Sequence, residues 1–416
     1  MMKIRIIVSL LLLWCFTFNA HAENKEFETF AQEQSKLMHT AYEKKDTKTY
    51  DELLTSFKSR YDKLTSEDKK FYSGYLTNAY YNLSCTYSLL NQKKEAIAYL
   101  EKSIKAGYVN YSHILEDIDL NNIRKEAAYK ALVQPLRKLG DYPFILKNAA
   151  AYNLKDKRTV PVFTYQAATE PNLVILRKTF NLDSIAGKGN EVSKVINMMN
   201  WIHNLVPHDG NHGNPVVKNA LSMINECKRD NRGLNCRGLA TVLNECYLSM
   251  GIKSRFVTCL PKDSLGIDND CHVINMVYIN DLKKWIWMDP TFAAYVRDEK
   301  GQFLSIEEVR ERLITRKPLI LNPEANWNHK ESQTKEHYLD YYMSKNLYTI
   351  ECPVNSEYDT ETQAQGKNLE YVQLLPLEYF KNKPDNKSVS TYNQSKVTYT
   401  KYATNNPTTF WAAPAN

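Results

Sequence analysis

Glycine and proline are scarce, 13 and 15 of 416 residues, which excludes collagen-like repeats, low-complexity tracts and a wholly disordered chain. Cysteine is dilute as well. Eight in the whole sequence are too few for a scaffold stapled by disulfides. No block of lysine and arginine forms a stripe for phosphates, because acidic and basic residues are interleaved throughout, and this argues against nucleic acid as a partner. Beyond the first two dozen residues no apolar run approaches the roughly 20 residues of a membrane span. What is present is 12% aromatic residues, enough bulky surface for a packed core, and a length that accommodates two domains of about 100 to 200 residues.

Residues 1–22 have the form of a signal segment. Lys3 and Arg5 make a basic start, Ile6 to Phe18 an apolar stretch, and Ala20-His21-Ala22 a small-residue cleavage site. The bulky Trp14 before Cys15 argues against a lipid anchor. The expectation is a secreted or periplasmic protein, cleaved after Ala22. Loss of the two basic residues leaves 52 basic against 47 acidic, 52 − 47 = +5.

Residues 23–140 read as helical throughout. Tyr75, Ala79, Tyr80, Leu83, Thr86 and Leu90, then Ala96, Ile97, Leu100 and Ile104, recur at three- and four-residue spacing. Asn91-Gln92-Lys93 is a polar turn between two helices, and Gly107 stands where a helix ends. The run Tyr80 to Cys85 followed by Glu95 to Ile104 resembles a tetratricopeptide-type helical repeat, with Phe27 to Lys44 and Thr47 to Leu64 as a degenerate preceding pair. Such a region implies either a support or a surface for a protein partner. Residues 141–174 read as a linker of strand and turns, and Ala186 to Asn190 as a turn. Gly189 after Lys188, in place of Ser or Thr, excludes a phosphate loop.

From residue 175 to 416 the pattern predicts an α+β domain with a C-terminal extension. Helices are expected over Glu191 to Leu205, Ala220 to Cys227 and Cys236 to Met250. Strands are expected over Ser254 to Leu260, Cys271 to Ile279 and Lys284 to Met288. Cys236 falls at the start of its helix, where unpaired backbone N–H groups and the helix dipole favour a thiolate. His272 opens one strand and Asp289 closes the next, so neighbouring strands can set an imidazole beside a carboxylate. That is the nucleophile, base and orienter set of acyl transfer.

Cys236 in Gly233 to Ala240, His272 in Asp270 to Tyr278, and Asp289 in Trp285 to Thr291 resemble, in that order, the transglutaminase-like domain of the papain-related cysteine enzymes. Gly251 to Val257 and Trp201-Ile202-His203 resemble flanking parts of it, and the likeness covers residues 175–300. It implies a helix packed on an antiparallel sheet. It also implies Cys236 as nucleophile, His272 as base and then acid, and Asp289 as orienter of the imidazole. The implied activity is attack on an amide or peptide carbonyl of a protein or peptide, through an acyl-enzyme, with water or an amine as acceptor and no cofactor. A binding or scaffolding protein on the same fold is the alternative. Asn235 and Trp201 are the candidates for a second oxyanion donor, a group often contributing ~3 kcal/mol.

Other constellations compete. His208 and His212, with His203, Cys227 or Cys271, have zinc-ligand types, but Gly210, Gly213 and Pro215 mark that segment as a loop, better suited to the substrate side of a cleft. Cys259 and Cys271 flank a polar connection and are candidates for a disulfide. Cys85, Cys227, Cys246 and Cys352 read as buried thiols. In the extension, Ile306 to Leu313 is helical, Tyr338 to Tyr348 is tyrosine-rich, a strand is expected to return to the sheet edge near residues 396–402, and Trp327 and Trp411 are candidates for lining a cleft.

Overall fold

The computed structural model describes residues 25–149, 151–262, 271–380, 386–392 and 394–415. The signal segment, Cys15 included, lies outside them. The chain divides into two compact units, the first ending at Ile145 and the second running from Leu146.

The first unit is helical. α1 (Lys25–Glu43), α2 (Thr47–Tyr61), α3 (Ser66–Leu89) and α4 (Lys93–Lys105) follow one another through short turns. Asp46 caps α2 by accepting from the Thr49 N–H, and Thr65 caps α3 by accepting from Asp68. Asn91 takes a left-handed conformation (φ 56°) in the turn before α4. Tyr50, Leu54, Phe57 and Tyr61 bury one stripe of α2. Tyr42 on α1 and Tyr81 and Cys85 on α3 form a polar knot with Tyr108, His113, Asp117 and Asp119, which follow α4, and Tyr81 Oη donates to Asp117 at 2.8 Å.

The second unit is α+β. Its helices include α5 (Glu191–Leu205), α6 (Ala220–Asp230), α7 (Cys236–Ser249) and α8 (Ile306–Thr315). Its main sheet has seven strands: β1 (Ser254–Leu260), β2 (His272–Ile279), β3 (Lys284–Met288), β4 (Thr349–Pro353), β5 (Asn368–Leu374), β6 (Lys387–Thr391) and β7 (Thr398–Thr404), in the order β6-β7-β5-β4-β1-β2-β3. The sheet is mixed rather than wholly antiparallel, since β5 and β7 run parallel. Three strands, β5, β6 and β7, extend the sheet beyond β4, where one returning strand was expected.

α7 packs on β1 and β2 through a core in which Leu239, Val242, Leu243 and Cys246 meet Val277 and Ile286. It is buried on nearly every side. Glu245, in mid-helix, has both carboxylate oxygens bound to backbone N–H groups, of Ala220 at 2.7 Å and Asp359 at 2.9 Å. Such bonds are what make a buried carboxylate tolerable.

Two expectations need correction here. The stretch read as a linker is built into the second unit from residue 151: the Asn153 N–H donates to the Asn405 carbonyl (3.0 Å) and the Thr164 N–H to that of Val354 (3.0 Å). It also contains, with the residues after it, helices Pro171–Thr179 and Leu182–Ala186. Pro171 starts the first of these, since its fixed φ suits an initial helical turn. The Cys259–Cys271 disulfide is not formed, and both residues are thiols. Cys259 stands opposite His272 in the β1/β2 register. Directly paired residues share a face and neighbours alternate, so Cys259 and Cys271 point to opposite sides of the sheet.

Candidate functional site

The turn into α7 is held from three directions. Asn235 is the N-cap, its Oδ1 accepting from the Gly238 N–H at 3.1 Å. Asn214 grips the cap in turn, donating to Asn235 Oδ1 (2.7 Å) and accepting from the Asn235 N–H (3.0 Å). Arg237 pairs with Glu361 at 2.7 Å and donates to Thr258 at 2.9 Å, tying the first turn to β1 and the extension. Two glycines let the loop come this close. A Cβ on Gly233 would stand 2.4 Å from the Pro207 carbonyl oxygen, and one on Gly238 2.6 Å from Asn214 Oδ1. The polar loop from His208 onward therefore lies against the segment that delivers Cys236.

Cys236 begins α7 and is 3% exposed, packed with Ala240, Phe256 and Val273. Its Sγ lies 4.0 Å from the carbonyl oxygen of Cys271. The sulfur thus lies beside the residue that precedes His272, at the head of β2. His272 Nε2 meets Asp289 Oδ2 at 2.7 Å, with both side chains fully buried. A carboxylate accepts, so this contact sets the proton on Nε2 and leaves Nδ1 as the basic nitrogen. Nδ1 is buried and has no hydrogen-bond partner among the described residues.

Asp289 is itself held. Its Oδ1 accepts from the N–H groups of Thr291 (2.8 Å) and Phe292 (3.4 Å), and its Oδ2 accepts from the Tyr338 hydroxyl at 2.5 Å. Tyr338 accepts in turn from the Trp287 indole at 3.2 Å. Burial, followed by the charge of Asp289, holds the Tyr338 phenol well above its ordinary range, so it remains a donor. Tyr338 and Tyr342 lie on the π-helical stretch Glu336–Met343, the irregular kind of turn that often re-aims side chains at functional sites. Tyr342 packs edge-on against the His272 ring (5.2 Å), and Phe292 flanks it at 5.6 Å.

The remaining sequence candidates separate. Trp201 is half-buried against the core beside Phe180, and Asn235 is occupied in capping. Trp411 lies elsewhere: its carbonyl accepts from the Trp285 indole, and it helps line a cavity with Tyr152, Glu307 and Arg310 that none of Cys236, His272 and Asp289 lines. Trp327 does reach the site, donating its indole N–H to His208 Nδ1 at 3.2 Å. The histidines do not gather around a metal position. His203 bonds the Pro290 carbonyl and Asn326, and His212 pairs with Asp209 on the surface. Among the described residues, the group of ligating atoms close enough to share an ion is Cys85, Asp117 and Asp119, in the helical unit. Tyr338 is not legible in the sequence as a site residue, and His208 is legible only as part of a loop on the substrate side of a cleft. The tyrosine-rich run was the one signal for Tyr338, and nothing in the spacing links it to Asp289.

The profile of the transglutaminase-like superfamily matches residues 178–290, which contain Cys236, His272 and Asp289. The chain carries a transglutaminase-like domain over residues 178–290, preceded by helices, in a unit built on a mixed sheet. A crystallographically determined chain from Cytophaga hutchinsonii, described as a candidate cysteine protease, is 24% identical, with 31% of this chain and 40% of that chain covered at a TM-score of 0.23. A chloroplastic protein of Arabidopsis thaliana is 38% identical over 71 residues, 17% of this chain and 20% of that protein. The chain thus spans about a fifth of that relative's length. No helix of the described residues is long and apolar enough to cross a membrane.

Proposed function

We propose that the protein is an exported cysteine enzyme that attacks amide or peptide carbonyls of protein or peptide substrates through an acyl-enzyme on Cys236. The observation that carries this reading is the state of His272: Nε2 is committed to Asp289, and Nδ1 is a buried, unpartnered base at the head of the strand that Cys236 touches. His272 Nδ1 takes the Cys236 proton, and the sulfur attacks the carbonyl carbon as the C=O π pair moves onto oxygen. When the pair returns, the C–N bond breaks and the imidazolium gives its proton to the leaving amine. Water, deprotonated by Nδ1, then attacks the thioester and restores the thiol. An amine in place of water gives transfer. Water is the default acceptor, which favours hydrolysis, and export rests on the signal segment.

The test is to incubate the protein with glutamine-containing peptides, with and without a primary amine, and to follow both products and the mass of the Cys236 peptide. The expected result is ammonia release or peptide cleavage without added amine, a trapped acyl adduct on Cys236, and neither with Cys236→Ala. Product appearing only with the amine shifts the reading to transfer. No adduct and no product from any peptide points to the scaffolding alternative.

A further inference from the structure

His208 sits on the loop docked against the nucleophile's turn. Its backbone bridges Leu234, two residues before Cys236, through Leu234 N–H to the Pro207 carbonyl (3.1 Å) and Asp209 N–H to the Leu234 carbonyl (2.8 Å). Asn328 fixes the same residue from the other side, accepting from the His208 N–H at 2.7 Å and donating to its carbonyl at 2.9 Å. The ring is fixed too. Indole nitrogen is a donor only, so the 3.2 Å contact from Trp327 Nε1 makes His208 Nδ1 the acceptor and puts the ring proton on Nε2. Burial, and next to it the proximity of His272, pushes the imidazole down to about 4, while Asp289 acts in the opposite sense. The ring is therefore neutral at ordinary pH and stands within electrostatic range of both His272 and Asp289. No protein partner for Nε2–H occurs among the described residues.

The geometry points to His208 as a catalytic residue, whose Nε2–H donates a hydrogen bond to the substrate carbonyl oxygen as negative charge develops on it. This inference rests on the acyl-enzyme reading and supplies the second oxyanion donor that neither Asn235 nor Trp201 provides. No proton is transferred to that oxygen. As the Cys236 sulfur bonds to carbon, the π pair localises on oxygen against the N–H, and it returns to the C=O bond when the amine leaves. A neutral, tautomer-locked imidazole suits this task because it donates without competing with His272 as a base.

Two rates on Cys236 test it: alkylation by iodoacetamide, which forms no oxyanion, and burst acylation by p-nitrophenyl acetate, which does. For His208→Ala the expected result is alkylation within about twofold of wild type and acylation slowed about a hundredfold. His208→Gln, which keeps an N–H donor, recovers part of the loss. Trp327→Phe releases the tautomer and slows acylation about tenfold. Unchanged acylation in His208→Ala overturns the inference alone. So does a parallel fall in both rates, which assigns His208 to the thiol or to folding. A wild-type Cys236 that reacts no faster than the other thiols overturns the acyl-enzyme reading, and this inference with it.

Discussion

Two clusters in this chain hold nearly the same side chains. One, in the helical unit, contains Cys85, His113, Asp117 and Asp119 with three tyrosines. The other contains Cys236, His272 and Asp289 with Tyr338 and Tyr342. In the first, the donors and acceptors answer one another: Cys85 Sγ donates to Asp117 at 3.5 Å, and His113 Nδ1 meets the hydroxyls of Tyr81 and Tyr108 at 3.0 and 3.1 Å. Burial, then the charges of Asp117 and Asp119, hold the Cys85 thiol well above its ordinary range, which keeps it a neutral thiol. In the second, sulfur starts a helix and the imidazole keeps one nitrogen open. Residue types alone do not make a reactive site. On the reading proposed for Cys236, what distinguishes the second cluster is an unanswered imidazole nitrogen together with a thiol at a helix start.

The largest effect that breaks this comparison is expected from Asp289→Asn. An amide can present N–H to His272, reverse its tautomer and place a proton on Nδ1, so acylation of Cys236 should fall by about 10³ to 10⁴, read by stopped-flow burst kinetics. A fall of less than about tenfold would mean that the carboxylate does not set the imidazole. Tyr338→Phe removes one of four donors to Asp289 and leaves the Trp287 indole without its acceptor. A loss of about tenfold in acylation is expected, with about 1–3 kcal/mol of stability measured by urea unfolding.

Glu245 gives a pH effect. Burial pushes its carboxyl up to about 8, against the two backbone N–H groups that pull it down. The folded state therefore holds this proton more tightly than the unfolded chain, so the stabilisation is full below the ordinary carboxylate range and is lost as pH rises towards 8. Glu245→Gln should flatten the fall in Tm between pH 5 and 8. It should also lower Tm at pH 5, because an amide cannot accept from both Ala220 and Asp359. A slope identical to wild type would contradict the assignment. Smallest of all is Cys85→Ser, expected to leave the acylation rate within about twofold, as for sites that share no partners. A larger loss would mean that the closed cluster contributes to the chemistry.

What the sequence discloses here is local. Alternating apolar residues placed β1, β2 and β3 within a residue of their ends, and the Asn235-Cys236 helix start and the His272 and Asp289 strand ends followed from them. Non-local partners did not show. Strand β4 (Thr349–Pro353) pairs with β1 (Ser254–Leu260), and β5 and β7, later still in the chain, continue the sheet beyond it, and a short period-two run carries no information about its neighbour. Tyr338 reaches Asp289 across 49 residues, and Trp327 reaches His208 across 119. The loop from His208 to Pro215 has no periodicity at all, and its place is set by close approach to Gly233 and Gly238.

The central claim is that Cys236, and not any other thiol, is activated. Iodoacetamide labelling across pH 5 to 8, mapped peptide by peptide, compares it directly with Cys85, Cys227, Cys246, Cys259, Cys271 and Cys352 in one sample. The account predicts that Cys236 alkylates at least about tenfold faster than the rest at pH 5 to 6, where an unactivated thiol with a pKa near about 8.5 is almost wholly protonated. Equal or slower labelling of Cys236 over the whole range would contradict it.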